Sequence, residues 1–78
     1  MAAMSEHVAT FRNKSLGERI IQARKKRKLS QEELALLSDT DRTYIARIEE
    51  GKANPSAKVL NKLSRVLKTR ISYLLKGV

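Results

Sequence analysis

Cysteine and tryptophan are absent from the 78 residues, and histidine, phenylalanine and proline each occur once. Without cysteine there is no disulfide and no thiolate chemistry, which suits a reducing cytosol. A lone histidine cannot build a zinc cage, so no metal is expected. Aromatics make up only 4% of the chain, so any core must be aliphatic. No apolar run is long enough to cross a bilayer, and the N-terminus has no apolar signal-peptide core. A soluble, cytoplasmic chain with no membrane partner is expected. The chain has no cysteine nucleophile, no histidine-centred triad and no glycine loop to cradle a phosphate. Its acids Glu32, Glu33, Glu49 and Glu50 fit capping, dipole and pairing roles. Neither an enzyme nor a cofactor is expected, and no small-molecule ligand is evident.

What the chain has is positive charge: net +9 at pH 7, with a pI near 10.4. A basic chain this small, with room for one domain, points to a polyanionic partner. The charge is segmented. Residues 15–28 hold six basic residues and one acid, and residues 52–78 hold seven and none. Between them, residues 29–51 hold two basic residues and six acids.

Residues 1–14 show weak periodicity and are read as an N-terminal extension, with residues 15–78 as the folded domain. Met4, Val8 and Phe11 share one helical spacing, so this extension either forms a short helix or starts disordered. Ser15 and Glu18 form a potential capping box, which predicts that the first helix opens there. Leu16, Ile20 and Ala23 give it an inward stripe. Arg24 to Lys28 gather at its end, where cations complement the helix dipole. Leu29 plugs the gap to a second helix near 31–37, with Leu34, Ala35 and Leu37 inward. A third helix near 42–50 turns Ile45 and Ile48 inward, while Arg42, Thr43, Ala46, Arg47 and Glu50 share the other side. Pro55 disfavours helix at Asn54. Ser56 then caps a fourth helix near 57–67, with Leu60, Leu63 and Leu67 inward. A last short helix holds Ile71, Leu74 and Leu75. Nothing reads as a strand, so the predicted class is all-α, a compact five-helix bundle.

The segment from Ser30 to Gly51 is the most specific. Ser30 and Glu33 form a capping box, Asp41 can cap the next helix, and Gly51 suits the left-handed position that ends it. Only Ser38, Asp39 and Thr40 separate the two helices. Helices joined so tightly cross steeply, and the second projects a face outward, as in a helix-turn-helix. Leu29–Ala35, Arg42–Lys52, Asn54–Ser56 and the Leu60/Leu63/Leu67 stripe together resemble the phage-repressor/Cro (XRE-type) helix-turn-helix family over residues 16–75. The Asp41–Ile45 run also resembles the controller proteins of restriction–modification systems. The resemblance implies a lambda-repressor-like DNA-binding domain, usually dimeric on palindromic operators. The chain departs from the family at Lys28, Asp39 and Lys68, where glycine is frequent, and at Thr40, where an apolar residue is common.

Arg42, Thr43 and Arg47 are the candidate base readers, because an arginine fork matches guanine O6/N7 and a threonine methyl packs on thymine. Gln31 resembles the family's phosphate- and base-anchoring glutamine, and Lys52 and Asn54 resemble its backbone-gripping loop. Tyr44 either donates to a phosphate or packs on the domain edge. Arg24 and Glu49 match positions that pair structurally in the family. Val59, Val66 and Tyr73, with Leu74 or Leu75, are candidates for a self-complementary dimer patch. Arg12 and Lys14 are candidates for an arm toward a groove, and His7 for an exposed tail residue. The leading expectation is a homodimeric, sequence-specific regulator of transcription on double-stranded DNA. The alternative is an antitoxin or antagonist-type protein-interaction module on the same fold.

Overall fold

The computed structural model describes residues 2–76, with side chains from residue 13 onward. The side chains of Met4, His7, Val8, Phe11 and Arg12 therefore lie outside the described set. Five helices follow one another among the described residues: α1 (Ala2–Lys26), α2 (Gln31–Ser38), α3 (Arg42–Glu49), α4 (Ala57–Leu67) and α5 (Ile71–Leu74). No helix among them is long and apolar enough to cross a membrane.

Helices α2, α3 and α4 begin where their caps dictate. Ser30 Oγ accepts from the Glu33 amide at 3.0 Å, and the Glu33 carboxylate accepts from the Ser30 amide at 2.9 Å. Asp41 accepts from the Thr43 amide at 2.8 Å, and Ser56 from the Val59 amide at 3.2 Å. The first helix differs from expectation. Ser15 lies inside α1 and caps nothing, because residues 2–14 hold neither proline nor glycine to stop the helix propagating toward the N-terminus.

Four helices end by one mechanism. The chain turns through a left-handed residue, and the next amide reaches back five residues. The left-handed residues are Lys28, Asp39, Gly51 and Lys68, with φ of 58°, 52°, 78° and 51°. The returning bonds run from Leu29 to Arg24, Thr40 to Ala35, Lys52 to Arg47 and Thr69 to Ser64, at 2.8–3.1 Å. Three of these four positions hold a side chain that pays the left-handed penalty, on the order of 1 kcal/mol each.

The core is aliphatic. Its fully buried large side chains are Ile20 of α1, Leu34 of α2, Ile45 and Ile48 of α3, Leu63 of α4 and Leu74 of α5. Each such side chain contributes roughly 1.5–3 kcal/mol through the area it removes from water. Every helix is thus pinned to one cluster.

Two expectations are corrected here. Leu37, expected on the inner face of α2, is 61% exposed, and Ser38 is buried in its stead. The inner stripe follows Leu34, Ala35 and Ser38, at i, i+1 and i+4, and Leu37 falls about 100° off its centre. The Ser38 hydroxyl is satisfied by donating to the Leu34 carbonyl at 2.6 Å. Leu74, a candidate for the dimer patch, is 0% exposed and so is not available to one. A four-residue helix needs an anchor, and Leu74 is the one fully buried residue of α5, with Ile71 packed beside it against the core.

Asp39 tests the account of the helix ends. It combines a left-handed backbone with a carboxylate at the negative end of the α2 dipole, so both terms disfavour it. Asp39→Gly is expected to stabilise the domain by about 0.5–1 kcal/mol, read as a rise of a few degrees in thermal midpoint.

Candidate nucleic-acid interface

The two sides of α3 differ sharply. Ile45 and Ile48 are 0% exposed, whereas Arg42, Thr43 and Arg47 face solvent. Thr43 and Arg47 lie four residues apart, on one ridge. Arg42 and Ala46 form the neighbouring ridge, and the small Ala46 leaves room for close approach.

The arginines of this face are only loosely held. Arg42 Nε lies 3.7 Å from Glu32 Oε1, with both side chains more than half exposed. Arg47 Nη2 lies 3.5 Å from the Lys52 carbonyl. Lys52 itself pairs with Glu50 at 3.3 Å, again in solvent. Contacts this long and wet contribute little, so each side chain is released at small cost. Asn54 is exposed, and its carbonyl lies 3.5 Å from the Tyr44 hydroxyl. Tyr44 is half-buried, with its ring packed against the core.

The far end of α3 is fixed firmly. Arg24 Nε donates to Glu49 Oε2 at 2.7 Å, and Arg24 Nη2 to Glu49 Oε1 at 3.0 Å. The third arm of the guanidinium, Nη1, donates to the Leu29 carbonyl at 2.9 Å. Gln31 Nε2 donates to Glu49 Oε1 at 2.9 Å. The side chains of Arg24 and Glu49 are only 13% and 3% exposed. One carboxylate therefore ties together α1, the α1–α2 turn, the first turn of α2 and the last turn of α3. Gln31, expected to serve a phosphate, spends one amide N–H on this network and keeps the other.

Gly17 was missed by the sequence reading. A Cβ at this position would lie 2.5 Å from the Glu49 carbonyl oxygen and 2.6 Å from that of Ile48. The backbones of α1 and α3 therefore touch. A lone glycine in the middle of a helical pattern costs about 1 kcal/mol relative to alanine, and that cost was the available signal. Gly51 is also close, since a Cβ there would meet Lys14 Cα at 3.0 Å. Lys14, a candidate arm residue, is exposed beside this turn.

The candidate dimer residues are dispersed. Val59 and Val66 are half-buried against the core. Tyr73 packs on α1, with Arg19 Cζ 5.1 Å from its ring centre and its hydroxyl donating to Gln22 Oε1 at 3.3 Å. Leu75 is 39% exposed, and Leu74 is enclosed as described above. Among the described residues, no three histidine, aspartate or glutamate side chains converge as a metal site requires.

A short helix pair with a buried apolar side, an exposed cationic side and a rigid anchor at one end defines a helix-turn-helix domain. A family model described as helix-turn-helix matches residues 20–74. The chain belongs to that family, in its phage-repressor (XRE-type) branch. An immunity repressor protein of Bacillus phage phi105 is 37% identical over 60 residues, 77% of this chain. The chain spans only 42% of that relative's length. The restriction–modification controller protein C.AhdI from Aeromonas hydrophila is 35% identical, with a TM-score of 0.77 over 80% of this chain and 94% of its own. The clp gene regulator ClgR from Corynebacterium glutamicum has a TM-score of 0.78 at 22% identity, over 82% of this chain and 68% of its own, a likeness of fold alone.

Removing Glu49 strands a mostly buried guanidinium and frees Gln31. Glu49→Ala is expected to cost about 3 kcal/mol of stability in a denaturant titration, and Glu49→Gln less, since the amide oxygen still accepts.

Proposed function

We propose that the protein regulates transcription by binding double-stranded DNA in a sequence-specific manner. It acts as a homodimer on a palindromic operator, with α3 in the major groove. The observation that carries this reading is the division of α3, with its isoleucines in the core and Arg42, Thr43 and Arg47 in solvent. Arg42 and Arg47 read base edges, Thr43 offers a methyl to thymine, and Lys52, Asn54, Tyr44 and Gln31 grip the backbone. The similarity to a phage immunity repressor and to a restriction–modification controller supports a regulatory task. Two-fold symmetry sets the two α3 helices about 34–36 Å apart, in successive grooves.

One observation favours a second reading. Leu36 and Leu37 are 81% and 61% exposed on the outer side of α2. An adjacent apolar pair in solvent suits a protein partner, as an antitoxin or antagonist-type module requires.

Selection of bound fragments from a random duplex library separates the two readings. The first expects enrichment of an inverted repeat, with a dimer in sedimentation; the second expects no preference over random DNA. Arg42→Ala is expected to cost about 1–3 kcal/mol of binding and to relax preference at one base pair. Lys52→Ala should weaken all sequences alike and lower the salt slope by about 1. An unchanged preference in the Arg42 variant would remove that residue from the reading head.

A further inference from the structure

The seam where the end of α1 meets the α4–α5 turn holds a cleft of about 760 Å³. That volume lies within the range of about 300–1,000 Å³ typical of small-molecule sites. Lys26, Arg27, Lys68 and Arg70 line it, and no acidic residue does. None of these four cations forms an ion pair among the described residues. The ordinary explanation is that they offset helix dipoles, since α1 and α4 both end here. Each helix end carries the equivalent of about half a negative charge, so the two together neutralise about one cation of the four. About three positive charges remain around an apolar floor of Ala23 and Leu67. No acid occurs from Lys52 to the end of the sequence, so neither α4 nor α5 can supply the counter-charge.

The cleft opens mainly on the side of α1 turned away from the α3 anchor, although its Ala23 lies only about 100° around the helix from Arg24. At 100° per residue, Gln22 and Lys26 lie about 160° around α1 from Arg24, the residue that faces Glu49. We propose that this cleft binds a small, multiply phosphorylated anion of nucleotide size, and that the occupant clasps α5 against α1. Arg27 and Arg70 present forks that match phosphate oxygens, Lys26 and Lys68 add point charges, and the Tyr73 wall offers an aromatic surface. Tyr73 and Leu75, both on or next to α5, are also candidates for self-association, so occupancy would bear on the dimer. The proposal does not require that α3 bind DNA.

The test is calorimetric titration of the full chain at fixed ionic strength with ATP, tripolyphosphate and inorganic phosphate. Saturable binding of one ATP or tripolyphosphate per chain is expected, tighter than inorganic phosphate. The double variant Lys26→Gln/Arg70→Gln should weaken it at least about tenfold with an unchanged circular dichroism spectrum, because it removes two charge-assisted bonds. Arg42→Ala/Arg47→Ala should leave it intact. ATP binding tighter than tripolyphosphate would add a base seated at Tyr73, and equal affinities would assign the site to phosphate alone; both sustain the proposal. Binding that does not saturate, or that the Arg42/Arg47 variant abolishes while the Lys26/Arg70 variant spares it, overturns it. So does a Lys26/Arg70 variant that changes only affinity for duplex DNA, which would make the cleft a track for the nucleic-acid backbone. Operator selection without added phosphate tests the DNA reading separately, so the two can fail independently.

Discussion

The carboxylate of Glu49 is the constraint on which the rest of the arrangement depends. It is nearly buried, and three hydrogen bonds from Arg24 and Gln31 hold it. A buried ion pair is a weak source of net stability, because desolvation offsets most of the attraction. Its use here is directional. An arginine fork meeting a carboxylate fixes angle as well as distance. Gly17 adds a second constraint at the same place by letting the α1 backbone abut the carbonyls of Ile48 and Glu49. The C-terminal end of α3 is therefore held by both charge and shape. The opposite end, which carries Arg42 and Thr43, is left in solvent.

The central segment is acidic by composition yet presents a cationic face, because its acids are used locally. Glu33 and Asp41 serve as caps, and Glu49 anchors Arg24. Glu32 and Glu50 lie beside Arg42 and Lys52 in loose, wet contacts. A regional charge count cannot separate acids spent on backbone amides from acids free to repel a polyanion. Residue-by-residue pairing can, which is why the flanks and not the centre dominated the compositional signal.

Helices α2, α3 and α4 were legible to within a residue because their boundaries are chemical, set by Ser30, Asp41, Ser56, Gly51 and Pro55. The separation of Ile45 and Ile48 from Arg42, Thr43 and Arg47 was legible because it needs only the helical period. The start of α1 was not, since Ser15 and Glu18 satisfy a capping pattern that a continuing helix ignores. Leu37 reads as inward on hydrophobicity and Ser38 as part of the turn, whereas the helical angle turns Ser38 inward and Leu37 outward. The α4 stripe alone suffices for a core in the sequence, so Leu74 reads as available to a surface patch, and only the three-dimensional arrangement shows that α5 adds its own anchor. Gly17 carried its information as an absence of side chain, which a search for functional groups passes over.

At Lys28 and Lys68 the chain reverses through a backbone geometry that glycine adopts more easily, yet each bend carries an ammonium group. A cation at the C-terminal end of α1 or α4 is attracted to the helix dipole by on the order of 0.3–1 kcal/mol, which offsets part of the conformational cost. A corner of the fold thereby doubles as a mounting point for charge. Exchanging either lysine for glycine would relax the bend and discharge the surface in one step, so at these corners ease of folding and affinity for anions are set against each other.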